Sequence, residues 1–420
     1  MSLIRDSQHL RVPFRDIEIA TRNFTTIIGK GGYGHVYKGE LLLSGKLTSV
    51  AVKRLPKNNH SGQGVKEFLT EIQLLSRYEH PNLVSLLGYC EEHDENILIY
   101  EYAEHGSLDC YISMANTRFR LPWKQRIKIC IGAARGLDYL HNHVAENHRV
   151  IHRDIKSANI LLDHNWKAMI SDLGLSKIGR ANENESYLIT NVAGTHGYCD
   201  PAYMNTGILT KESDVYSFGV VLFEVLCGRP YIMKVNEECR FLTQLAQTCY
   251  EKGNLNDIID TDLKKQMNSD SLKKFSKIAY KCLKNDRKQR PSMGLVVEKL
   301  EKALELQERA ETWAPNVRSM FLKFMQFLDV HKCKLQMHFS WMVTNLHTLV
   351  EMSARNVNKR WIVILILLLI MIKKQVIIKI LLILFFLPLL LLVLLLLLFL
   401  FIRTLCNRGF VRISDIRISC

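Results

Sequence analysis

The sequence lacks the paired cysteines of a disulfide scaffold or a zinc site. Its 11 cysteines are scattered singly along 420 residues, without a Cys-x-x-Cys pair or a cysteine–histidine grouping that would suit a metal. Such an odd, irregular set favours reduced thiols in the cytosol, most of them buried as small apolar side chains. The first residues also lack the apolar core of a secretory signal, and Ser2 stands where N-myristoylation requires glycine. We therefore expect the folded part to face the cytosol.

Acidic residues are scarce in the last quarter of the chain. Residues 311–420 hold 14 basic and 4 acidic side chains, whereas residues 1–310 hold 42 and 37. The basic excess therefore lies mainly in the tail, where a membrane explains it better than nucleic acid does, and we predict no nucleic-acid binding. A smaller basic cluster at 281–290 is better explained as a solvated helix end.

Long uninterrupted apolar runs are absent until residue 361 and then dominate. Within the hydrophobic segment 361–402, residues 381–402 run for 22 residues without a charge, which is enough for one membrane helix. We expect a C-terminal anchor there; a wrongly read transcript or a buried, aggregating segment are the alternatives. Residues 308–360 form a linker of unknown role, and 403–420 form a basic tail. Positive charges on both sides of the segment leave its orientation open.

One stretch, Val150–Asp163, places an acid, a base and an amide between two apolar runs. Asp154 is a carboxylate that can accept a hydroxyl proton, Lys156 an ammonium that can neutralise a phosphate, and Asn159 an amide that can hold Mg²⁺. The His-Arg-Asp…Asn spacing is typical of a protein kinase catalytic loop. It predicts phosphoryl transfer, and it requires a glycine-rich loop and a lysine upstream and a second metal-binding aspartate downstream.

A glycine-rich turn does lie upstream. Gly29, Gly31 and Gly34 form G-x-G-x-x-G, which dinucleotide-binding folds also use. The flanking residues are apolar, β-branched and aromatic and predict strand–loop–strand, whereas a dinucleotide fold should open a helix here. Glycines let backbone amides approach phosphate oxygens without a Cβ in the way. The residues that we expect to contact ATP at this turn are Ile28, Gly29, Lys30, Gly31, Gly32, Tyr33, Gly34, His35 and Val36, the last of them against the adenine.

The predicted phosphate-orienting lysine is Lys53, at the end of the next strand and nineteen residues after Gly34. Its partner should lie on the following helix, where Glu71 stands beside the apolar stripe and Glu67 is the alternative. The remaining expected ATP contacts are Ala51 on the same strand and Tyr100 and Tyr102 at the junction between two lobes.

The downstream aspartate is Asp172, eighteen residues after Asp154 in the sequence Asp-Leu-Gly. A lone Asp-Leu-Gly would be an ordinary turn. Because it follows the stretch with Asp154 and Asn159, it predicts a site for Mg²⁺ formed by Asp172 and Asn159, in which Mn²⁺ could substitute.

A polar segment, residues 175–200, follows this aspartate and has the length of a functional loop. Arg153 offers a guanidinium that could bind a phosphorylated residue of the segment. We predict regulation by phosphorylation near Thr190, with Thr195 as a second candidate. The alternative is that these hydroxyl residues are present only because loops are rich in polar residues.

A buried helix is predicted over Asp214–Leu226, which is apolar nearly all round. Asp214 at its start either caps this helix or holds the backbone of the catalytic loop. Two further amphipathic helices are expected at about 272–284 and 292–307, and Arg290 between them is assigned a structural role.

Residues 11–307, about 70% of the chain, resemble the kinase domain of plant receptor-like kinases of the Pelle-related group, most closely the malectin-type, FERONIA-like members. The matching stretches are Ala20–Phe24, Val84–Cys90, Ile151–Asp163, Gly194–Tyr198 and Ser213–Leu222.

The resemblance implies a serine/threonine protein kinase that uses ATP and Mg²⁺. It also implies a bilobal α+β fold, with a small five-stranded β lobe carrying one helix (24–103) and a larger α-helical lobe (104–307), after a juxta-kinase segment (1–23). Lys156 supports serine/threonine specificity, because tyrosine kinases usually lack this lysine, and Tyr100 matches the tyrosine at the back of this group's nucleotide pocket. Expected partners are proteins with serine or threonine acceptors, receptor kinases, and the chain itself. The kinase domain should face the cytoplasm, attached to a membrane if the C-terminal segment is genuine.

The chain departs from the family pattern at two positions. Leu173 replaces the usual phenylalanine, a conservative apolar exchange. Ala202 replaces a glutamate that normally pairs with the arginine matching Arg290, so we expect Arg290 to be buried without its partner. Loss of such a pair typically costs on the order of 3–5 kcal/mol. A kinase fold destabilised in this way allows a second hypothesis, a pseudokinase that serves as a scaffold for partners.

Overall fold

The computed structural model describes residues 7–31, 34–43, 45–55, 62–113, 120–180, 187–235 and 238–312. The predicted hydrophobic segment, the basic tail and all but the first residues of the predicted linker lie outside these ranges, as do Gly32 and Tyr33 of the glycine turn. Within the described ranges, no helix has both the length and the apolar character of a membrane span.

An antiparallel sheet forms the small lobe. Its strands are β1 (Ile27–Gly31), β2 (Gly34–Leu43), β3 (Lys46–Arg54), β4 (Leu86–Glu92) and β5 (Glu95–Glu101), in the spatial order β1-β2-β3-β5-β4. The predicted five-stranded lobe is therefore confirmed. Lys53 lies between Val36 of β2 and Leu98 of β5, so its side chain projects from the interior of the sheet rather than from an edge.

Two helices pack on the small lobe. Helix α1 (Phe14–Ala20) buries Ile17 completely in an apolar cluster with β-strand residues, so the segment before the lobe is part of its core. Helix α2 (Gln63–Leu75) buries Phe68 and Ile72 on the stripe that faces the sheet. Glu71 lies on the same buried side, as its position next to the stripe predicted.

The large lobe is mainly helical, as predicted. Its helices are α3 (Trp123–Asn142), α4 (Pro201–Thr206), α5 (Lys211–Cys227), α6 (Leu242–Glu251), α7 (Thr261–Lys264), α8 (Ser269–Cys282) and α9 (293–312). Helix α5 is buried along most of its length, which explains why its sequence is apolar nearly all round.

Short strands connect these helices. They are β6 (Gly106–Ser107), β7 (His148–Ile151), β8 (Ile160–Leu162), β9 (Ala168–Ile170), β10 (Lys177–Arg180), β11 (Leu188–Ile189), β12 (Ile208–Leu209), β13 (Ile232–Val235) and β14 (Glu238–Phe241). The three-stranded sheet β6-β8-β9 and the strand pair β7-β10 place the stretch around Asp154 beside the stretch around Asp172, below the small lobe.

Candidate active site

A cavity of about 500 Å³ opens between the sheet of the small lobe and the strands of the large lobe. This volume lies within the ordinary range for small-molecule sites. The predicted nucleotide residues that line it are Ile28, Gly29, Lys30, Gly31, Gly34, Val36, Ala51, Lys53, Tyr100 and Tyr102. Lys156, Asn159 and Asp172 line the opposite side, whereas His35 and Glu71 are not among the lining residues.

The glycine turn between β1 and β2 forms the roof of this cavity. Gly34 has φ of +120°, and a Cβ there would lie 2.0 Å from the carbonyl oxygen of Arg54, so only glycine fits. At Gly31, by contrast, a Cβ would meet no described atom within 4 Å. Packing against the described residues therefore does not explain Gly31, but close approach of a ligand to the backbone would.

Lys53 joins two carboxylates at the back of the cavity. Its Nζ donates to Glu71 Oε1 at 3.0 Å and to Asp172 Oδ1 at 2.7 Å. Glu67, the alternative partner, instead accepts a hydrogen bond from Gln63 Nε2 at 2.8 Å. We call Lys53, Glu71 and Asp172 the cleft cluster.

Burial and pairing act in opposite directions on the cleft cluster. Burial would lower the pKa of Lys53, but the two carboxylates outweigh it and raise the pKa above its ordinary value. Burial would raise the pKa of Asp172, but the ammonium of Lys53 holds this pKa at about 2. Burial raises the pKa of Glu71 to about 7, because this carboxyl is the most deeply enclosed of the three. The lysine and Asp172 are therefore charged at neutral pH, whereas burial acts against the charged form of Glu71 and the ammonium of Lys53 favours it.

Asp154 is the centre of a second set of hydrogen bonds. Its Oδ2 accepts from Lys156 Nζ at 2.8 Å and from Asn159 Nδ2 at 3.2 Å, and its Oδ1 accepts from Thr195 Oγ1 at 2.7 Å. Lys156 Nζ also donates to Thr195 Oγ1 at 2.9 Å. The structure thus brings together all three residues predicted as catalytic, and it adds Thr195, which was predicted only as a phosphorylation candidate.

Asp214 accepts hydrogen bonds from the backbone of the loop that carries Asp154. Its carboxylate accepts from the backbone amides of His152 at 2.7 Å and Arg153 at 2.8 Å, and His141 Nε2 lies 2.9 Å from Oδ2. Arg153 has φ of +73°, a conformation that non-glycine residues rarely adopt. Of the two roles predicted for Asp214, the structure shows the contact with the catalytic-loop backbone.

The guanidinium of Arg153 binds the polar segment that carries Thr190. It donates to the carbonyl oxygens of Leu175 at 3.0 Å and Asn191 at 2.7 Å, and to the hydroxyl of Tyr203 at 2.8 Å. Because Asn191 follows Thr190 directly, the arginine lies next to the position predicted for phosphorylation.

The expectation that Arg290 is buried without a partner is wrong. Its Nη2 donates to Asp200 Oδ1 at 2.8 Å, and Arg287 Nε lies 3.2 Å from Asp200 Oδ2. Asp200 stands two residues before Ala202 and supplies the negative charge that alanine cannot. We call Asp200, Arg287 and Arg290 the Asp200 cluster. Burial would raise the pKa of Asp200, but the arginines lower it below its ordinary value.

Several residues that line the cavity were missed by the sequence reasoning. They are Val84, Ala103, Gly106, Ser107, Asp109, Ala158, Leu161 and Ser171. Leu161 could have been found, because it is the middle residue of the short apolar strand β8 directly after Asn159, where it faces the opposite side from the buried Ile160 and Leu162. The others carry no comparable signal.

Asn159 and Asp172 are the predicted metal ligands that line the cavity. The amide nitrogen of Asn159 donates to Asp154, which directs its carbonyl oxygen away from that carboxylate, and Asp172 uses Oδ1 on Lys53. Among the described residues, no group of three or more His, Cys, Asp or Glu could hold a metal. One carboxylate and one amide oxygen, completed by phosphate and water oxygens, nevertheless fit Mg²⁺.

Comparison with known proteins agrees with this geometry. Residues 22–301 match the family model described as a protein kinase domain. In Arabidopsis thaliana, the receptor-like protein kinase FERONIA is 48% identical over 301 residues, covering 71% of this chain and 33% of that protein. The receptor-like protein kinase HERK 1 is 49% identical over 311 residues, covering 73% and 36%. ANXUR1 is 48% identical over 305 residues, covering 72% and 35%. The chain thus spans about a third of the length of these relatives.

Proposed function

Since the chain belongs to the protein kinase family, we propose that it transfers the γ-phosphoryl group of ATP to serine and threonine hydroxyls of proteins. The observation that carries this proposal is that Asp154 lies within hydrogen-bond distance of both Lys156 and Asn159, and that these two residues line the same cavity as Lys53 and Asp172.

The small lobe would hold the nucleotide. The glycine turn offers backbone amides to the phosphates, and Lys53, fixed by Glu71, places an ammonium against the α- and β-phosphates. Val36 and Ala51 supply apolar surface for the adenine, and Tyr100 closes the back of the site. Each of these lines the cavity except Glu71, which acts through the lysine.

The large lobe would carry the chemistry. Asp154 orients the acceptor hydroxyl and takes its proton as the oxygen attacks the γ-phosphate. Lys156, which also donates to Asp154, neutralises charge on the transferred group. Asn159 and Asp172 would hold Mg²⁺, which supplies charge neutralisation at the phosphates when it is bound.

The decisive experiment compares the full chain with Asp154→Asn in a phosphotransfer assay with radiolabelled ATP. The amide can still accept the hydrogen bonds of Lys156 but cannot take a proton, so we expect labelling of an acceptor protein to fall at least about 100-fold. Equal labelling by both proteins would favour the scaffold hypothesis. That hypothesis rested on an unpaired Arg290, which the structure does not contain.

Regulation by phosphorylation of Thr190 is the second part of the proposal. It is supported by the position of Arg153, whose guanidinium reaches the residue next to Thr190. Thr195 is less suited to this role, because a phosphate there would stand against the carboxylate of Asp154. We expect Thr190→Ala to lower activity, and Thr190 to be recovered as phosphothreonine from the active protein. Full activity of the alanine variant would refute this part.

The hydrophobic segment 381–402 supports a membrane-attached chain with the kinase domain in the cytoplasm. Its 22 uncharged residues are long enough to span a bilayer. After carbonate extraction of membranes, the full chain should remain in the pellet. A full-length variant with Leu391→Asp and Leu395→Asp should be released, and release of the unaltered chain would refute the anchor.

A further inference from the structure

The carboxylate of Asp200 connects three parts of the large lobe. Besides Arg290 and Arg287, which come from the connection between α8 and α9, it accepts hydrogen bonds from two other donors. The backbone amide of Ala202 lies 3.0 Å from Oδ1 and opens helix α4. Ser213 Oγ lies 3.0 Å from Oδ2 and belongs to helix α5. One anion therefore holds four donors, and its side chain has no solvent exposure.

The arginine that binds Asp200 is itself fixed. Arg290 Nε donates to the carbonyl oxygen of Lys284 at 2.7 Å, and Nη1 donates to that of Glu212 at 2.9 Å. The guanidinium lies 5.0 Å from the centre of the Tyr216 ring. Asp200 is thus attached to a rigid point and not to a mobile surface side chain.

Asp200 also ends the segment that contacts the catalytic loop. Five residues earlier, Thr195 donates to Asp154, and between them the Tyr198 hydroxyl donates to Glu224 at 2.8 Å. Ser217 Oγ donates to the carbonyl oxygen of Tyr198 at 2.8 Å. Residues 194–200 are therefore attached at one end to Asp154 and at the other end to the two arginines.

We propose that Asp200 is a positioning residue for phosphoryl transfer. By neutralising Arg290 and Arg287, it fixes the position of residues 194–200. Through Thr195 of this segment, it fixes the orientation of the Asp154 carboxylate that accepts the proton. The inference rests on the proposed kinase function. Asp200 acts through the segment and does not touch either substrate. In this chain it also performs the charge pairing that Ala202 cannot provide.

The test is Asp200→Asn in the full chain, kept in mild detergent. Asparagine caps a helix as well as aspartate does, so the change removes the charge and keeps the bond to the Ala202 amide. We expect the melting temperature to fall by at least about 5 °C and hydrogen exchange to rise in residues 194–200. With dephosphorylated casein as acceptor, kcat/KM should fall at least about tenfold, while the KM for ATP stays within about twofold because the nucleotide cavity is not involved.

Two further variants make the result specific. Asp260→Asn is the matched control, because Asp260 caps α7 by accepting from the amides of Asp262 and Leu263 and makes no ion pair in the described part of the chain; this variant should behave like the unaltered protein. Adding Ala202→Glu to Asp200→Asn returns a carboxylate next to the arginines and should recover most of the lost stability and casein phosphorylation.

Three outcomes would overturn the inference. They are an Asp200→Asn protein with unaltered melting temperature and casein kinetics, an equal loss in Asp260→Asn, and a double variant no better than Asp200→Asn. If the unaltered chain transfers no phosphate at all, the proposed function fails. The melting temperature and the exchange of residues 194–200 then still decide whether Asp200 holds the segment.

Discussion

Two clusters of paired charges mark the two ends of residues 172–200. In the cleft cluster, Lys53 and Asp172 keep 17% and 26% of their side-chain surface exposed and line the cavity. In the Asp200 cluster, Asp200 and Arg290 have no exposed side-chain surface. Both clusters combine carboxylates with cations at 2.7–3.2 Å. Because Arg287 keeps 19% of its side-chain surface exposed, solvent access alone does not distinguish the clusters. The difference is that Lys53 and Asp172 line the cavity, where they can receive a ligand, whereas no member of the Asp200 cluster does.

The clusters also differ in what happens when one charge is removed. Burial has already raised the pKa of Glu71 to about 7, so this carboxyl can become neutral at little cost if Lys53 is lost. An arginine cannot release its proton in a protein. Loss of its partner in the Asp200 cluster therefore leaves a buried charge. We expect disruption of the first cluster to lower activity alone, and disruption of the second to lower stability as well.

The largest expected effect is that of Lys53→Met on activity. Removal of the ammonium that faces the phosphates should lower kcat/KM at least about 1,000-fold, whereas the melting temperature should change by no more than about 2 °C. Both are measured on the full chain, by phosphotransfer and by thermal unfolding. Lys46→Met, at the exposed start of the same strand, should leave both unchanged. A strongly unfolded Lys53→Met protein would remove the distinction between the clusters.

The next effect is the destabilisation caused by Arg290→Met. Methionine fills part of the volume but leaves Asp200 with Arg287 as its remaining cation, so the free energy of unfolding should fall by about 3 kcal/mol. Urea denaturation measures this loss. Lys288→Met, on the exposed side of the same connection, should change it by less than about 0.5 kcal/mol. Similar losses in the two variants would show that burial of Arg290 carries no special stability.

The same two clusters show what the sequence could and could not predict. Lys53, Glu71 and Asp172 were placed by motif order and by one apolar stripe, because each lies at a fixed position on a strand, helix or turn. The partner of Arg290 could not be placed this way. Asp200 is 90 residues away along the chain, and only the packing of α4, α5 and the α8–α9 connection brings them together.

Other gaps in the prediction have the same origin. Thr195 reaches Asp154 across 41 residues, so its hydroxyl could be recognised only as part of a polar loop. Helix α6 and the β13–β14 hairpin were not predicted. The hairpin strands have four residues each, too few to show a periodicity, whereas α6 buries Leu242, Ala246 and Cys249 at helical spacing and could have been recognised. The five strands of the small lobe were predicted in number.

A third buried carboxylate tests whether the charge of the partner, and not depth of burial alone, sets the pKa of a buried carboxylate and its contribution to stability. Glu224 is as buried as Asp200, but it accepts from neutral donors, the Tyr198 hydroxyl and the Tyr231 amide. Burial accordingly raises the pKa of Glu224 to about 8. Between its ordinary value of 4.5 and this value, the folded state binds more protons than the unfolded state. Stability should therefore fall as pH rises through that window.

We expect this contribution of Glu224 to decrease by about 2 kcal/mol between pH 6 and pH 8. Urea denaturation at the two pH values should show the decrease in the unaltered chain and a smaller one in Glu224→Gln, which cannot titrate. Asp200 has the opposite sign: its pKa is lowered, so its contribution is present above the unfolded pKa and is lost only as acid protonates the folded state. Equal pH dependence in both Glu224 forms would contradict the assignment.

The smallest expected effect concerns an exposed ion pair with a shorter distance than any pair in either cluster. Arg135 Nη2 and Glu301 Oε1 are 2.6 Å apart, and their side chains are 54% and 45% exposed. Water solvates both charges after the pair is broken, so Glu301→Gln should lower the free energy of unfolding by no more than about 0.5 kcal/mol in urea denaturation. A loss near that of Arg290→Met would mean that distance governs these ion pairs. The expected sixfold difference would mean that the cost lies in leaving a charge where water cannot reach it.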